Sequence, residues 1–402
     1  MKSDKTTPNV PTLRFAEFTD EWGKYELSHF VTRITRRNKN NESSLPLTIS
    51  AQYGLVDQIS FFNKTVASVD LSGYYLLYNG DFAYNKSYSN DYAWGAVKRL
   101  DKYEKGCLSS LYFVFRPNDN VDSDYLTHYF ESSKWHKGIS NIAGEGARNH
   151  GLLNMAIDDY FATKHYLPSL PEQKKIAQFF NAITRRIEIQ NKIIEDLKVL
   201  KKELCAKLFG SPLCGRIIAI EQVADIYGGY AFNSKAYVNK GKYKIVTIGN
   251  VTGDKYISGN YNTIDRLPNN IQKPQVLSKG DILVSLTGNV GRISIVDGDE
   301  YLLNQRVAKL GIEDDLTKEY IYQYLSNSSF EKDMINAGQG AAQKNIKNQD
   351  ILSYCIRFPT DQTALENIDK LLSLYDMRIT SEKAILSNLI LQKSYYLRAM
   401  FI

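Results

Sequence analysis

The apolar residues of this chain form two long stretches with the same helical spacing. Apolar side chains recur at alternating steps of four and three residues from Ile176 to Leu208, and again from Leu365 to Met400. This spacing places an apolar seam along one face of a helix, as in a coiled coil. The sequence therefore predicts two long amphipathic helices, one near the middle of the 402 residues and one close to residue 402.

The two seams also share their polar interruptions. Adding 192 to the positions of the first seam, from Phe180 onward, reproduces the second, so that Gln190 falls on Glu382 and Lys201 falls on Lys393. Two unrelated helices would rarely share both the seam and its defects. If the seams pack on each other, Lys201 is expected to face Glu382 and Gln190 to face Lys393. The alternative is that these polar positions face solvent.

The segments that precede the two predicted helices repeat as well. GDFAYNKSYSN begins at Gly80 and GDILVSLTGNVGRISI begins at Gly280. Runs such as LYFVF and DILVSL, rich in β-branched and aromatic residues, predict strands. YLTHYFESSKW and EYIYQYLSNSSF predict short helices, followed by the glycine-pair loops AGEGA and AGQGA. The chain is therefore predicted to repeat the order globule, helix, globule, helix.

The predicted fold class is α+β. Two similar domains are separated and held by two long antiparallel coiled-coil helices with pseudo-twofold symmetry. A helix of about 38 residues is roughly 57 Å long, and its apolar seam needs a partner, which the other helix supplies. Two related globules suit a target with two halves, such as duplex DNA. The predicted boundaries are 1–168 for the first globule, 169–210 for the central helix, 211–359 for the second globule and 360–402 for the last helix.

Charge and composition narrow the class of partner. The net charge of +6 and the pI near 8.8 favour a polyanionic partner. The 28 tyrosines suit a recognition surface, although tyrosine-rich β-structure also packs in this way. No apolar run is long enough to predict a membrane span, and the first residues lack the apolar core of a secretory signal. Four scattered cysteines without a CxxC pair favour a cytoplasmic protein with free thiols.

The motifs of the chain resemble those of a known family. LPSLPEQKKIAQFFNAI leads into the first helix, LLSLYDMRITSEKAILSNL lies in the second, and YGGYAF, KYKIVTIGNV, GDILVSLTGNVGRISIV and LNQRVAKL lie in the second globule. Together they make essentially the whole chain similar to the specificity (S) subunit of type I restriction-modification systems. The Pro-Glu-Gln-x-x-Ile motif, from Pro171 to Ile176, is the most specific signal. The second copy has PTDQTAL instead, and the first globule lacks a clear counterpart of GNVGRISIV.

The resemblance implies a non-catalytic subunit that directs methylation and restriction to a bipartite, asymmetric DNA site. Each globule would be a target recognition domain that reads one half-site, and the helices would set the spacing and bind partner subunits. The expected partners are double-stranded DNA, two modification (methyltransferase) subunits and restriction (motor-nuclease) subunits. Those subunits would use S-adenosylmethionine, ATP and Mg²⁺, while no cofactor or metal is expected in this chain.

The motifs that the sequence lacks agree with this division of labour. All ten prolines are isolated, so there is no Pro-Pro-aromatic motif of the kind that holds a flipped adenine. GDFAYNKS lacks the second glycine of a phosphate-binding loop. His128 and His136 could share a helix face, but no further ligand accompanies them. Two rival hypotheses remain open: a stand-alone nuclease that uses acids such as Asp281 or Asp158, and a coiled-coil adaptor without DNA contact.

Candidate DNA contacts lie in loops rich in basic and amide side chains, the residue types that contact phosphates and read bases. The loops are TRITRRNKNN, NKSYSNDY, GYAFNSK, LTGNVGR and the segments after the two glycine pairs. A solvated surface loop is the alternative for each of them. The predicted residues are Arg36, Arg37, Lys39, Asn40, Lys86, Tyr88, Arg148 and Asn149 in the first globule, and Asn233, Lys235, Thr287, Asn289, Arg292, Gln343, Lys344 and Asn345 in the second.

Overall fold

The structure, a computed structural model, describes residues 9–64, 66–88, 92–143, 151–338 and 345–402. Its contacts divide the chain into two units. Unit 1 is Met1–Gln190 with Ile385–Ile402, and unit 2 is Asn191–Ala384. Each unit therefore combines one globule with part of each long helix. The predicted α+β class with two globules and two long helices is confirmed.

The globule of unit 1 contains a mixture of short strands and helices. Its strands are β1 (Gly23–Glu26), β2 (Val31–Arg33), β3 (Leu47–Ser50), β4 (Gly54–Asp57), β5 (Tyr75–Tyr78), β6 (Phe82–Asn85), β7 (Ala96–Arg99), β8 (Lys105–Leu108), β9 (Phe113–Pro117) and β10 (Lys164–Leu167). Its helices are α1 (Leu27–Phe30), α2 (Gln58–Phe62), α3 (Ser123–Glu131), α4 (His136–Ile142) and α5 (Ile157–Phe161). The main sheet has the strand order β2-β9-β6-β7.

The first long helix, α6 (Leu170–Phe209), begins in unit 1 and ends in unit 2. The strands of unit 2 are β11 (Arg216–Ala219), β12 (Asp225–Gly228), β13 (Tyr243–Val246), β14 (Asn262–Ile264), β15 (Val276–Leu277), β16 (Ile282–Ser285), β17 (Ile293–Ile295), β18 (Tyr301–Leu303), β19 (Val307–Gly311) and β20 (Cys355–Phe358). Its helices are α7 (Asp315–Leu325), α8 (Ser328–Ala337) and α9 (Asn348–Leu352), and the last long helix is α10 (Gln362–Ala399).

The two globules have the same strand arrangement. The main sheet of unit 2, β12-β19-β16-β17, matches that of unit 1 strand for strand. Phe82 of β6 pairs with Phe115 and Arg99, while Ile282 of β16 pairs with Leu310 and Ile295. The antiparallel pair β1-β10 likewise matches β11-β20. The predicted internal repeat is therefore a repeat of topology and register, not only of sequence.

The register also reveals a match that the sequence comparison missed. Val97 of β7 and Ile293 of β17 occupy equivalent positions, so the preceding glycines, Gly95 and Gly291, are equivalent too. Both adopt a left-handed backbone, with φ of +79° and +78°, which favours glycine. The hairpin of GNVGRISIV thus has a counterpart in the first globule, hidden because the loop there is longer by four residues.

The long helices run antiparallel, because the start of α6 lies with the end of α10 in unit 1. There the rings of Phe179 and Tyr396 are 5.0 Å apart. Pro171 lies in the first turn of α6, where a missing N–H costs no hydrogen bond, and Gly210 follows its last residue. None of the described helices is long and apolar enough to cross a membrane.

Both seam lysines pair with carboxylates that the predicted pairing did not include. In unit 2, Nζ of Lys201 lies 2.5 Å from Oδ1 of Asp376. In unit 1, Nζ of Lys393 lies 2.9 Å from Oε2 of Glu131 in α3. The long lysine side chains leave the seam and reach carboxylates beside it.

Candidate nucleic-acid interface

Two of the predicted DNA-facing loops lie side by side in each globule. In unit 1, the N–H of Leu153 donates to the carbonyl of Lys86 at 3.0 Å, and the N–H of Tyr88 donates to Gly151 at 3.1 Å. In unit 2, the N–H of Ile346 donates to Leu286, also at 3.0 Å. The loop that follows β6 or β16 therefore pairs with the segment that comes directly after the glycine pair.

The same pairing continues by one residue on each side. Ser87 forms an antiparallel β-bridge with Leu152, and Thr287 forms one with Asn345. We call these two paired segments, 86–88 with 151–153 and 286–287 with 345–346, the recognition ribbons. The two copies of the repeat differ in sequence here, yet they build the same backbone feature at the same place in the fold. This recurrence is the strongest geometric sign that the two places share a role.

The glycine pairs themselves belong mostly to the parts of the chain outside the described residues. The predicted contacts Arg148, Asn149, Gln343 and Lys344 fall there. Asn345 is described and exposed, opposite Thr287. At Asn345 this segment therefore lies beside LTGNVGR.

The loop between β16 and β17 is held by hydrogen bonds at its base and is exposed to solvent at its tip. The hydroxyl of Ser285 donates to the carbonyl of Asn289 and accepts from the N–H of Arg292. Gly288 adopts a left-handed backbone, with φ of +70°, and Asn289 beside it is exposed. Nε of Arg292 lies 3.2 Å from Oε1 of Glu331. Asn289 is therefore presented outward, whereas Arg292 braces the base of the loop.

Lys86 is less open than a phosphate-binding lysine on a bare surface. Its ammonium lies 4.7 Å from the centre of the Phe113 ring, and burial lowers the pKa of Lys86. The cation–π contact offsets part of the lost hydration. Tyr88 next to it is half-buried and packs against the aromatic core of unit 1. The ribbon of unit 1 thus offers a partly enclosed cation beside an aromatic surface.

Two of the three arginines of TRITRRNKNN, Arg36 and Arg37, make contacts within the globule. Nη2 of Arg36 lies 2.5 Å from Oδ2 of the buried Asp81, and the guanidinium stacks 4.3 Å from the Tyr78 ring. The guanidinium of Arg37 lies 4.1 Å from the Tyr75 ring, and it donates to the carbonyl of Gly73. DNA contact by either arginine stays a prediction, but the structure gives both an internal role.

The exposed tip of the same loop is formed by Lys39 and Asn40. Asn38 supports the tip from below: its buried amide donates to the carbonyl of Ser43 and accepts from the Ser43 N–H. Asn41, on the other side of the tip, has a left-handed backbone with φ of +51°, which asparagine tolerates better than most residues. Lys39 and Asn40 are therefore presented by a rigid turn.

A second exposed loop follows β12, at the position equivalent to the loop after β2. Its start is fixed by Tyr230, whose N–H donates to Leu303 at 2.8 Å. Asn233 and Lys235 are exposed, and the side-chain oxygen of Asn233 accepts from the N–H of Lys235. Both globules thus present a basic and amide-bearing loop at the end of the same edge strand.

The acids proposed for a nuclease are paired with basic side chains. Nζ of Lys309 lies 2.7 Å from Asp281, which also accepts from the N–H of Ser278. Asp158 is exposed in the first turn of α5, 3.7 Å from Arg33. Within the described ranges, no group of three or more acidic, histidine or cysteine side chains is arranged to hold a metal ion.

The two histidines mentioned above are packing residues. His128 hydrogen-bonds Glu131 and Asn181, and His136 lies edge-on against Trp135.

Comparison with known proteins identifies the repeated unit. Residues 34–199 and 216–390 each match the family model described as "Type I restriction modification DNA specificity domain". A curated relative, the type I restriction enzyme MjaVIII specificity subunit of Methanocaldococcus jannaschii, is 28% identical over 303 residues, which is 67% of this chain and 69% of the relative.

Two solved structures share the fold. One is the type I restriction-modification system S subunit from M. genitalium, with a TM-score of 0.55, 16% identity, and coverage of 98% of this chain and 99% of the other. The other comes from a study of complex assembly and conformational transition of the type I R-M system, with a TM-score of 0.55, 18% identity, and coverage of 94% and 96%.

The fold and its paired loops define a protein with two copies of one recognition module. The two family matches cover most of the chain, and the chain belongs to the type I restriction-modification DNA specificity family. Its role is DNA sequence specificity within such a system.

Proposed function

We propose that this chain is the non-catalytic subunit that directs a type I complex to a bipartite, asymmetric DNA site, with one half-site read by each unit. The observation that carries the proposal is the recognition ribbon, built twice with an equivalent backbone hydrogen bond and β-bridge in globules of unlike sequence. A repeated scaffold with divergent side chains suits two half-sites that differ from each other. The exposed tips, rather than the buried framework, would then determine the sequence that is read.

The proposed contacts lie at exposed loop tips or on the recognition ribbons, where Lys86, Tyr88 and Thr287 are half-buried. Amides can read base edges and lysines can meet phosphates. Arg36, Arg37 and Arg292 would act by holding the loops in shape. The proposed contacts are Lys39, Asn40, Lys86 and Tyr88 in unit 1, and Asn233, Lys235, Thr287, Asn289 and Asn345 in unit 2.

Exposed apolar positions on the long helices support the binding of partner subunits. Ile193 and Val199 of α6 are exposed, and so are the residues 192 positions later, Ile385 and Leu391 of α10. Such repetition favours two copies of the modification subunit, which would bring S-adenosylmethionine, while restriction subunits would bring ATP and Mg²⁺. Further exposed apolar residues of α6 are Ile189 and Leu200.

Co-purification tests this partner surface. Changing Ile193 and Val199 to Glu should lower recovery of the modification subunit at least about tenfold, because apolar contact area is replaced by charge. Lys192→Glu, at an exposed polar position of the same helix, is the matched control and should change recovery little. Unchanged recovery of the partner with the double variant would count against docking at this surface.

Methylation mapping by single-molecule sequencing tests the function itself. Cells that carry the modification subunit would be compared with and without this chain. The proposal predicts a bipartite adenine-methylated motif only when the chain is present. Methylation that does not depend on the chain, or a motif that forms one continuous block, would contradict it.

A further inference from the structure

The two seam lysines, Lys201 and Lys393, have no role in the function proposed so far. They occupy equivalent positions of α6 and α10, where an apolar residue would extend the seam. A polar residue in such a seam costs stability unless it is paired. Both lysines are only slightly exposed and both are paired with carboxylates. The repeat has therefore kept a feature that simple helix packing does not need.

In unit 2 the seam lysine belongs to a network that joins both helices to the globule. The carboxylate of Asp376 in α10 accepts two hydrogen bonds. One comes from Nζ of Lys201 in α6, at 2.5 Å, and the other comes from Nε2 of Gln323 in α7, at 2.7 Å. Lys255, from the loop between β13 and β14, lies 3.4 Å from Asp376 and 3.0 Å from Glu319. Gln323 is fully buried and Asp376 is 8% exposed. One carboxylate thus ties together α6, α10 and two separate parts of the globule.

Charge and burial make this network stronger than a surface ion pair. Burial opposes the charged form of Lys255, but Glu319 and Asp376 outweigh it and raise the pKa of Lys255. Hydrogen bonds to charged groups are worth more than neutral ones when water is excluded. A further ion pair on the surface, Lys383 with Asp254 at 2.7 Å, joins α10 to the same loop.

In unit 1 the equivalent lysine reaches the globule directly. Nζ of Lys393 lies 2.9 Å from Oε2 of Glu131 at the end of α3. Nδ1 of His128 lies 3.2 Å from the same oxygen. Burial would raise the pKa of Glu131, but His128 and Lys393 lower it to about 2. His128 bonds Asn181 of α6 at 2.8 Å. The partners differ from those in unit 2: Lys393 pairs directly with α3, whereas Lys201 is linked through Asp376 to Gln323 of α7, the helix equivalent to α3.

The position of each network along the helices suggests what it does. The globule of unit 2 packs on an apolar cluster that includes Phe209, Leu365 and Leu372. Asp376 lies one helical turn beyond Leu372, about 6 Å further along α10. A cavity of about 310 Å³ beside it, lined by Lys201, Lys255 and Asp376, shows that apolar side chains do not fill this part of the contact. The polar network therefore carries the second point of attachment.

We propose that the seam lysine networks are positioning elements that fix the orientation of each globule on its helices, and so the spacing at which the half-sites are read. A globule held only by the apolar cluster could rotate on the helices. A second attachment one helical turn away prevents this rotation. This inference rests on the proposed function. The residues concerned touch no DNA in the proposal and act through the globule that they hold.

The test uses the full chain with its modification subunit and a library of DNA sites. Each site carries the same two half-sites with the spacer lengthened or shortened by one base pair. The variant is Lys201→Met with Asp376→Leu, which removes both charges and leaves no unpaired buried carboxylate. Methylation at the altered spacers, relative to the native spacer, should rise at least about tenfold, while the half-site sequences stay the same.

Lys198→Met is the matched control, since Lys198 lies on the same helix and pairs with Glu195 on the surface. The Lys198→Met variant should methylate sites with the native spacer in preference to altered spacers to the same degree as the wild type. Lys201→Arg, which retains the charge, should restore most of the discrimination. If the double variant does not assemble, Lys255→Met gives the same readout with only the globule-side cation removed.

Unchanged spacer discrimination in an active double variant, or in an active Lys255→Met variant, would overturn the proposal. So would a general loss of methylation at all spacers, because that pattern indicates a structural role alone. Failure of the proposed function is separate: in that case the wild-type chain itself directs no bipartite methylation.

Discussion

The two units build one topology from different kinds of core. At equivalent positions of β6 and β16, unit 1 has Phe82 and Tyr84 where unit 2 has Ile282 and Val284, and all four are buried. The buried cluster of unit 1 is largely aromatic, whereas that of unit 2 is largely aliphatic. Strand order and register are nevertheless the same. Both units therefore keep the continuously buried strands and the left-handed glycines, whereas the particular buried side chains differ.

The largest expected effects come from truncating the two cores, and the two variants should differ in which unit they destabilise. Phe82→Ala should lower the free energy of unfolding by about 3–5 kcal/mol and Ile282→Ala by about 2–5 kcal/mol, because each leaves a cavity. All three tryptophans, Trp22, Trp94 and Trp135, belong to unit 1. Denaturant unfolding followed by tryptophan fluorescence therefore reports unit 1, and far-UV circular dichroism reports both units.

Phe82→Ala should move the fluorescence transition to lower denaturant, while Ile282→Ala should leave it near its wild-type position. Equal shifts of that transition by both variants would show that the two cores unfold together and would break the comparison.

The second difference is in acid sensitivity. His165 of β10 is buried between the hydroxyls of Tyr129 and Thr163, each 2.8 Å away. Thr163 donates its own proton to Tyr160, so Nε2 of His165 donates to Thr163 and Nδ1 accepts from Tyr129. Burial lowers the pKa of His165 to about 4, from an ordinary value of 6.5. Unit 2 has the apolar Ile356 at the equivalent position.

Below pH 6.5 His165 binds a proton in the unfolded chain but not yet in the folded protein, so protonation favours unfolding. The contribution of neutral His165 to the free energy of unfolding is therefore complete above pH 6.5. It is lost as the pH falls toward about 4, and the total loss is about 3 kcal/mol. Unfolding followed by tryptophan fluorescence at several pH values should show this loss in the wild type. His165→Gln should flatten the profile between pH 6.5 and 4; an unchanged profile would mean that another group controls it.

The third and smallest difference concerns the equivalent left-handed glycines. Gly291→Ala should cost about 1–3 kcal/mol through backbone strain, and the added Cβ would lie 2.8 Å from Cβ of Met334 in α8. Gly95→Ala should cost more, because the added Cβ would lie 2.1 Å from the backbone oxygen of Asn85. Gly280→Ala, with open space around the Cβ position, is the control for strain alone. Equal costs at Gly95 and Gly280 would show that the close contact relaxes freely.

The sequence predicted the large features because they depend on periodicity. The seams of α6 and α10, the repeat of the globules and the strand at DILVSL all follow from the spacing of apolar residues. The β6–β7 hairpin was missed as a counterpart of GNVGRISIV because four extra residues obscure the match of Gly95 with Gly291. Spacing within one element is a local property, whereas equivalence between loops of different length depends on strand register.

The candidate site was predictable only in part, for a related reason. Basic composition pointed equally to Arg36 and Lys39, but it could not distinguish an arginine that pairs with the buried Asp81 from a lysine at an exposed tip. The partners of Lys201 and Lys393 were likewise missed, since Asp376 and Glu131 lie beside the seam and not on it. Ion pairs between distant parts of a chain leave no periodic signal.

The most direct test of the account is methylation mapping with one variant in each unit. The complex would carry either Lys39→Ala with Asn40→Ala, or Asn289→Ala with Asn345→Ala. Because each unit is proposed to read one half-site, each variant should relax or alter one half of the methylated motif and leave the other half unchanged. A variant that changes both halves, or that lowers methylation uniformly without changing the motif, would contradict the claim that the two units read DNA independently.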